Sequence, residues 1–84
     1  MMDPLILEQV RRIAADVFAL SIDQIGPDSS PDTIERWDSL QHVNLMLAIE
    51  QGFELEIAPE DMERLASIGD IAMFVDGSLA TRGG

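Results

Sequence analysis

The chain contains no cysteine, no lysine and no tyrosine, and its aromatic residues are one tryptophan and three phenylalanines. Without cysteine there is no disulfide framework, no thiolate metal site and no thiol nucleophile of the chain's own, so any thiol chemistry is imported. With so few rings, the core is built mainly from Leu, Ile, Val, Met and Ala, and 84 residues leave no room for a deep enzyme cleft. Five arginines stand against sixteen acidic residues, for a formal charge of −11. Such a surface repels nucleic-acid phosphates and anionic lipid headgroups alike and predicts partners with basic docking surfaces. No apolar run approaches the roughly 18 residues of a membrane span. The opening MMDPLILEQ lacks the basic start of an export signal, so a cytoplasmic setting is expected.

What is present reads as one small domain over residues 1–77, followed by a flexible tail over 78–84. Asp3-Pro4 is a helix start: the carboxylate accepts from free backbone N–H groups and proline tolerates the first helical position. Ile6, Val10, Ile13, Val17 and Leu20 follow at spacings of three and four and form its core face. Gly26, Pro27, Pro31 and several Asp and Ser residues then break any long element from Ser21 to Asp38. A connection of that length needs its own anchors, here Ile22, Ile25, Ile34 and above all Trp37. A second helix is expected from Ser39 to Gln51, closed by a left-handed Gly52. Phe53, Leu55 and Ile57 form an extended connector that dips into the core. Pro59 to Leu65 makes a short third helix, and Ser67 with Asp70 caps a fourth, ended by Gly77. The fold expected is all-α: a small four-helix bundle with a long loop between helices 1 and 2 and a short third helix.

The second helix is apolar nearly all the way round. Part of it, Leu40, Val43 and Leu47, is therefore expected at the surface to meet a partner. In front of it stands Asp38-Ser39. Asp38 is a capping residue, with Gln41 three positions on able to complete a capping box, and for most Asp-Ser pairs capping is the whole explanation. A serine in the first helical turn, however, holds its hydroxyl beside free N–H groups and the positive end of the helix dipole, which suits a phosphate ester.

Asp38-Ser39-Leu40 opening a helix after a long loop, Gly52-Phe53, the E-I-x-P-E-D segment Glu56–Asp61 and the closing SIGDIAMFV together resemble the acyl carrier proteins and related peptidyl carrier domains. The resemblance covers about residues 4–77 and is carried by the set, since three residues alone recur by chance. It implies a 4′-phosphopantetheine arm on Ser39, transferred from coenzyme A by a magnesium-dependent phosphopantetheinyl transferase. The arm's thiol would hold acyl or aminoacyl groups, supplied by a loading ligase or transferase and delivered to downstream synthases. It further implies a non-catalytic, monomeric carrier in which Asp38, Leu40, His42, Val43, Leu47 and Glu50 contribute to recognition. The chain departs from the fatty-acid carriers, whose outward positions on this helix are commonly carboxylates: Gln41, Asn44 and Gln51 are neutral here and His42 is a possible cation. The W-D-S-L-x-H form is more similar to freestanding carriers of specialised polyketide-type or aminoacyl and peptidyl pathways.

Other readings compete. Asp38, Ser39 and His42 lie close enough for a catalytic arrangement, but a helix mouth on a small bundle offers no sheltered oxyanion site, so His42 is expected at the surface, tuning docking. The acidic groups Glu60, Asp61, Glu63 and Asp23, Asp28, Asp32 lack the spacing of a calcium loop, and no metal is expected. The terminal Gly83-Gly84 resembles ubiquitin-like tails, but those folds need strands that this sequence does not supply. The serious rival is a helical interaction module in which Ser39 is only part of a helix start.

Overall fold

The computed structural model of the chain describes residues 3–82. Within them the elements are α1 (Pro4–Phe18), a 3-10 turn (Ile22–Gln24), α2 (Ser39–Phe53), α3 (Pro59–Arg64) and α4 (Ile68–Arg82), with no strand. The expected all-α bundle is therefore observed, with its long loop and its short third helix in place.

α1 begins as its sequence dictates: Asp3 Oδ1 accepts from Leu5 N at 2.9 Å, and Pro4 fills the first turn. It packs against both α2 and α4 and so forms the spine of the bundle. Its buried face is rotated from the one that the large side chains suggest. Ile6, Val10, Ala14, Ala15 and Phe18 are buried, while Ile13, Val17 and Leu20 are only partly so. The alanines decide this, because a small side chain lets a neighbouring helix approach closely.

The loop from residue 21 to 38 is pinned as its composition requires. Ile25, Ile34 and Trp37 are buried, Ile22 packs on the core edge, and the Trp37 ring lies 5.3 Å from that of Phe18. Polar bonds add to the apolar anchors. Arg11 donates to the carbonyls of Ile22 and Ile25, and Arg36 to those of Phe18 and Ala19 at the end of α1. The loop in turn caps α4, since Pro27 and Ser29 carbonyls accept from Gly69 N and Ile68 N at 2.9 and 3.0 Å, and Ser67 Oγ accepts from Asp70 N. Gly69 is needed there, because a Cβ would stand 3.1 Å from the Pro27 carbonyl oxygen.

Two expected helix ends are corrected. α2 runs through Gly52 to Phe53, and the left-handed cap residue is Glu54, at φ 55°. Gly52 answers a different demand: a Cβ there would come within 2.9 Å of Ile13 Cδ1, where α1 and α2 cross. α4 likewise passes through Gly77 to Arg82, so most of the stretch expected as a tail is helical. Gly83-Gly84 lies outside the described residues. On α4, Ile68, Ile71, Ala72 and Val75 face inward as expected, and Phe53 and Ile57 are buried at either end of the connector, with Leu55 packed at the core edge.

Candidate functional site

Everything that the sequence singles out around Ser39 depends on how α2 starts. Trp37 is buried, which fixes the chain just ahead of the helix, and Asp38 is the N-cap: its Oδ1 accepts from Gln41 N at 2.9 Å and its carbonyl from His42 N at 2.8 Å. The capping box is not closed. Asp38 N donates to the Arg36 carbonyl, and the Gln41 side chain accepts from Asn44 Nδ2 instead of reaching back. Ser39 is thus the first residue of the helix and is exposed. The backbone N–H groups of Ser39 and Leu40 precede the helical bonding pattern, and no backbone or side-chain acceptor meets them among the described residues. With the helix dipole behind them, they are disposed to meet negative charge on a group attached at Ser39 Oγ.

His42 is corrected from surface residue to half-buried tie. Its Nδ1 accepts from Trp37 Nε1 at 2.9 Å and its Nε2 pairs with the Met62 carbonyl at 2.6 Å. An indole nitrogen only donates and a carbonyl only accepts, so the ring is the neutral tautomer with its hydrogen on Nε2. Neither nitrogen is left to take a proton from Ser39, which disposes of a Ser-His pair in this arrangement. Met62 belongs to α3, so one imidazole joins the end of the loop, α2 and α3. Nothing in the spacing of Trp37, His42 and Met62 announces that connection.

Beside Ser39 the same residues shape an open cleft of about 660 Å³, lined by Pro31, Trp37, His42, Leu65 and Ala66, with Glu63 at its polar side. The sequence gives no sign that Pro31, Leu65 and Ala66 belong to this site, since they come from distant segments that meet only in the fold.

Leu40, Val43 and Leu47 are exposed at 69%, 49% and 46%. They are the apolar surface that the all-round hydrophobicity of α2 predicts. Burying such a side chain fully is worth about 1.5–3 kcal/mol, against roughly 0–1 for an exposed ion pair, so a partner that covers this strip gains more from it than from charge. Glu50 lies eleven residues beyond Ser39, roughly 16 Å along the axis. Its Oε2 accepts from Ile57 N at 2.9 Å and holds the connector. Among the described residues, no three His, Asp or Glu side chains converge as a metal site would require, and no helix is long and apolar enough to cross a membrane.

The exposed serine at a capped helix mouth, the cleft and the apolar strip agree with what comparison with known proteins finds. Residues 8–75 match the family model described as the phosphopantetheine attachment site. An acyl carrier protein of Thermosynechococcus vestitus is 33% identical over 75 residues, covering 89% of this chain and 93% of that protein. In this family the group attached is a covalent 4′-phosphopantetheine. A match across most of both chains, joined to an all-helical bundle with one long pinned loop, places the protein in the acyl carrier protein family.

Proposed function

We propose that Ser39 is the attachment residue, and that the chain carries acyl or aminoacyl groups for a specialised biosynthetic pathway of the cytoplasm. The observation that carries this reading is an exposed serine hydroxyl in the first turn of α2, flanked by two unmet N–H groups. In the loading step Ser39 Oγ bonds to the pantetheine-bearing phosphorus of coenzyme A. The pyrophosphate P–O bond breaks, adenosine 3′,5′-bisphosphate departs and the hydroxyl proton passes to the transferase or to water. Asp38 commits Oδ1 to the helix cap, and its carboxylate would be the nearest of this chain's charges to a magnesium ion that the transferase brings. When bound, the arm supplies a thiol that holds cargo as a thioester.

The chain's own residues present and orient. The Asp38 cap and buried Trp37 fix the serine, the free N–H groups stabilise the phosphate charge, and the cleft offers the exposed Pro31 and Ala66 to apolar parts of whatever is tethered. Catalysis belongs to the partners: the phosphopantetheinyl transferase, a loading ligase or transferase, and the enzymes that consume the cargo. The W-D-S-L-x-H form of the site, with neutral Gln41, Asn44 and Gln51, supports a specialised rather than a fatty-acid pathway.

Incubation with coenzyme A and a broad-specificity phosphopantetheinyl transferase is expected to add one phosphopantetheine to the natural chain and none to Ser39→Ala. An unchanged mass for the folded natural chain, with the transferase active on another carrier, would instead support an unmodified module that binds a partner helix.

A further inference from the structure

His42 is neutral because both ring nitrogens are engaged: Nδ1 accepts the Trp37 indole hydrogen at 2.9 Å and Nε2 donates its own to the Met62 carbonyl. A proton added at Nδ1 makes that nitrogen a donor, so the ring cannot be charged and keep the Trp37 bond. Ser39 stands one turn back on the same side of α2, where Cβ atoms lie about 5–6 Å apart, and both residues line the one cleft. A phosphodiester at Ser39 Oγ therefore sets a permanent negative charge beside the imidazole.

The charged groups about the ring are mostly acidic. The end of the loop brings Asp38, which lines the cleft, and Arg36, whose guanidinium is turned to the Phe18 and Ala19 carbonyls. Asp32, next to the cleft residue Pro31, is exposed. α3 brings Glu63 to the cleft and carries Asp61, with exposed Glu60 and Arg64, on the same short helix. The segment behind α3 adds only the apolar Leu65 and Ala66. On α2 itself the next charge is Glu50, about two turns on and bonded to Ile57 N. What favours the neutral ring among these carboxylates is the Trp37 bond.

We infer that loading is registered at His42: the charge of a phosphate ester on Ser39 favours the imidazolium, which takes a proton from solvent at Nδ1 and gives up the Trp37 bond. Nε2 keeps its hydrogen and its bond to Met62, and the new Nδ1–H is drawn towards the phosphate. Trp37 keeps its place against Phe18, since burial holds it there, but its Nε1–H loses its acceptor and turns to water or to a carbonyl of the arm. Loaded and unloaded chains then differ at the root of the arm as well as by the arm itself. A partner enzyme gains a feature of the protein by which to tell them apart. The inference rests on the carrier reading above and adds a second state to it.

The test follows the His42 ring nitrogens and the Trp37 indole N–H by NMR between about pH 8 and about pH 5, the span in which imidazole titrates. Three samples are compared: the natural chain unloaded, the same chain loaded by a phosphopantetheinyl transferase with coenzyme A, and Ser39→Asp, which adds a charge without an arm. The loaded chain is expected to bind the His42 proton about threefold more tightly than the unloaded one, the effect of one charge at this separation close to solvent. Ser39→Asp is expected to act in the same direction, and the indole signal to move with the His42 titration in every sample. Equal proton binding before and after loading, a loaded ring that stays neutral throughout, or an indole signal that ignores the titration overturns the inference. So does a folded Ser39→Asp that binds the proton no more tightly than the natural chain; the loaded and unloaded chains decide the matter even if that variant fails to fold. Mass spectrometry of the same samples counts the arms attached. No uptake at Ser39 sinks the carrier reading and the inference with it, whereas uptake with an unchanged His42 sinks the inference alone.

Discussion

Trp37 Nε1 donates to His42 Nδ1 at 2.9 Å, so the last anchor of the long loop and the first turn of α2 are held by one bond. The two rings lie nearly parallel, 6.0 Å apart, and the far side of the imidazole reaches the Met62 carbonyl. Replacing His42 by Ala strands a half-buried indole N–H and a backbone carbonyl together. A loss of about 1.5–3 kcal/mol is expected from the two unmet groups. For a chain of this length that lowers the melting temperature by roughly 6–24 °C. Nitrogen NMR should find the His42 hydrogen on Nε2, and a hydrogen on Nδ1 in the native state would refute the arrangement.

Gly77 lies inside α4 with open space where a Cβ would go. Gly77→Ala is therefore expected to stabilise the protein by about 0.5–1 kcal/mol through helix propensity, read as a raised urea midpoint at unchanged slope. A destabilisation would mean that the helix stops there after all.

At Gly52 propensity and packing oppose each other, because the added methyl meets Ile13 Cδ1. Ile13→Val removes that atom. Gly52→Ala should thus be more favourable in the Ile13→Val background than in the natural one, with a coupling of about 0.5–1 kcal/mol in a double-mutant cycle. Equal effects in both backgrounds would show that α1 and α2 do not touch at this point.

Arg11 and Arg12 are adjacent and do different work. Arg11 is half-buried and donates to two loop carbonyls, whereas Arg12 makes an exposed pair with Glu8 at 3.2 Å. Arg11→Gln should lower stability by about 1.5–3 kcal/mol, since bonds from a charged donor are lost, and Arg12→Gln by no more than about 0.5. Chemical denaturation of the two variants side by side decides it, and equal losses would mean that the loop needs no such fastening.

The residues that revealed their place in the sequence are those governed by local rules. Asp3-Pro4, Asp38 and Ser67 start helices because a short polar side chain meets free N–H groups wherever it stands before an apolar run. Ile68, Ile71, Ala72 and Val75 face inward because period and burial agree. Glycine in sequence is a poor guide to helix ends here: the left-handed caps are Ala19 and Glu54, while Gly52 and Gly69 sit where a side chain or backbone approaches closely and α4 simply continues through Gly77. The α1 face was misplaced because Ala14 and Ala15 count for little in a hydrophobic pattern and for much in a helix crossing. Around Ser39, the cap and the apolar strip were legible. The engagement of His42 with Met62 and of Glu50 with Ile57 was not, because such bonds exist only once distant segments have met.

The fastening of the loop between residues 21 and 38 to both α1 and α4 has a consequence for anything hung from Ser39. A pendant group searches space from a stationary pivot, so its reach and its effective concentration at a docked enzyme are set by the tether's own length and stiffness. For a short flexible tether that concentration falls in the millimolar range. A wandering anchor would dilute it, whereas the loop that leads to Ser39 is bonded to α4 and, through Arg11 and Arg36, to α1.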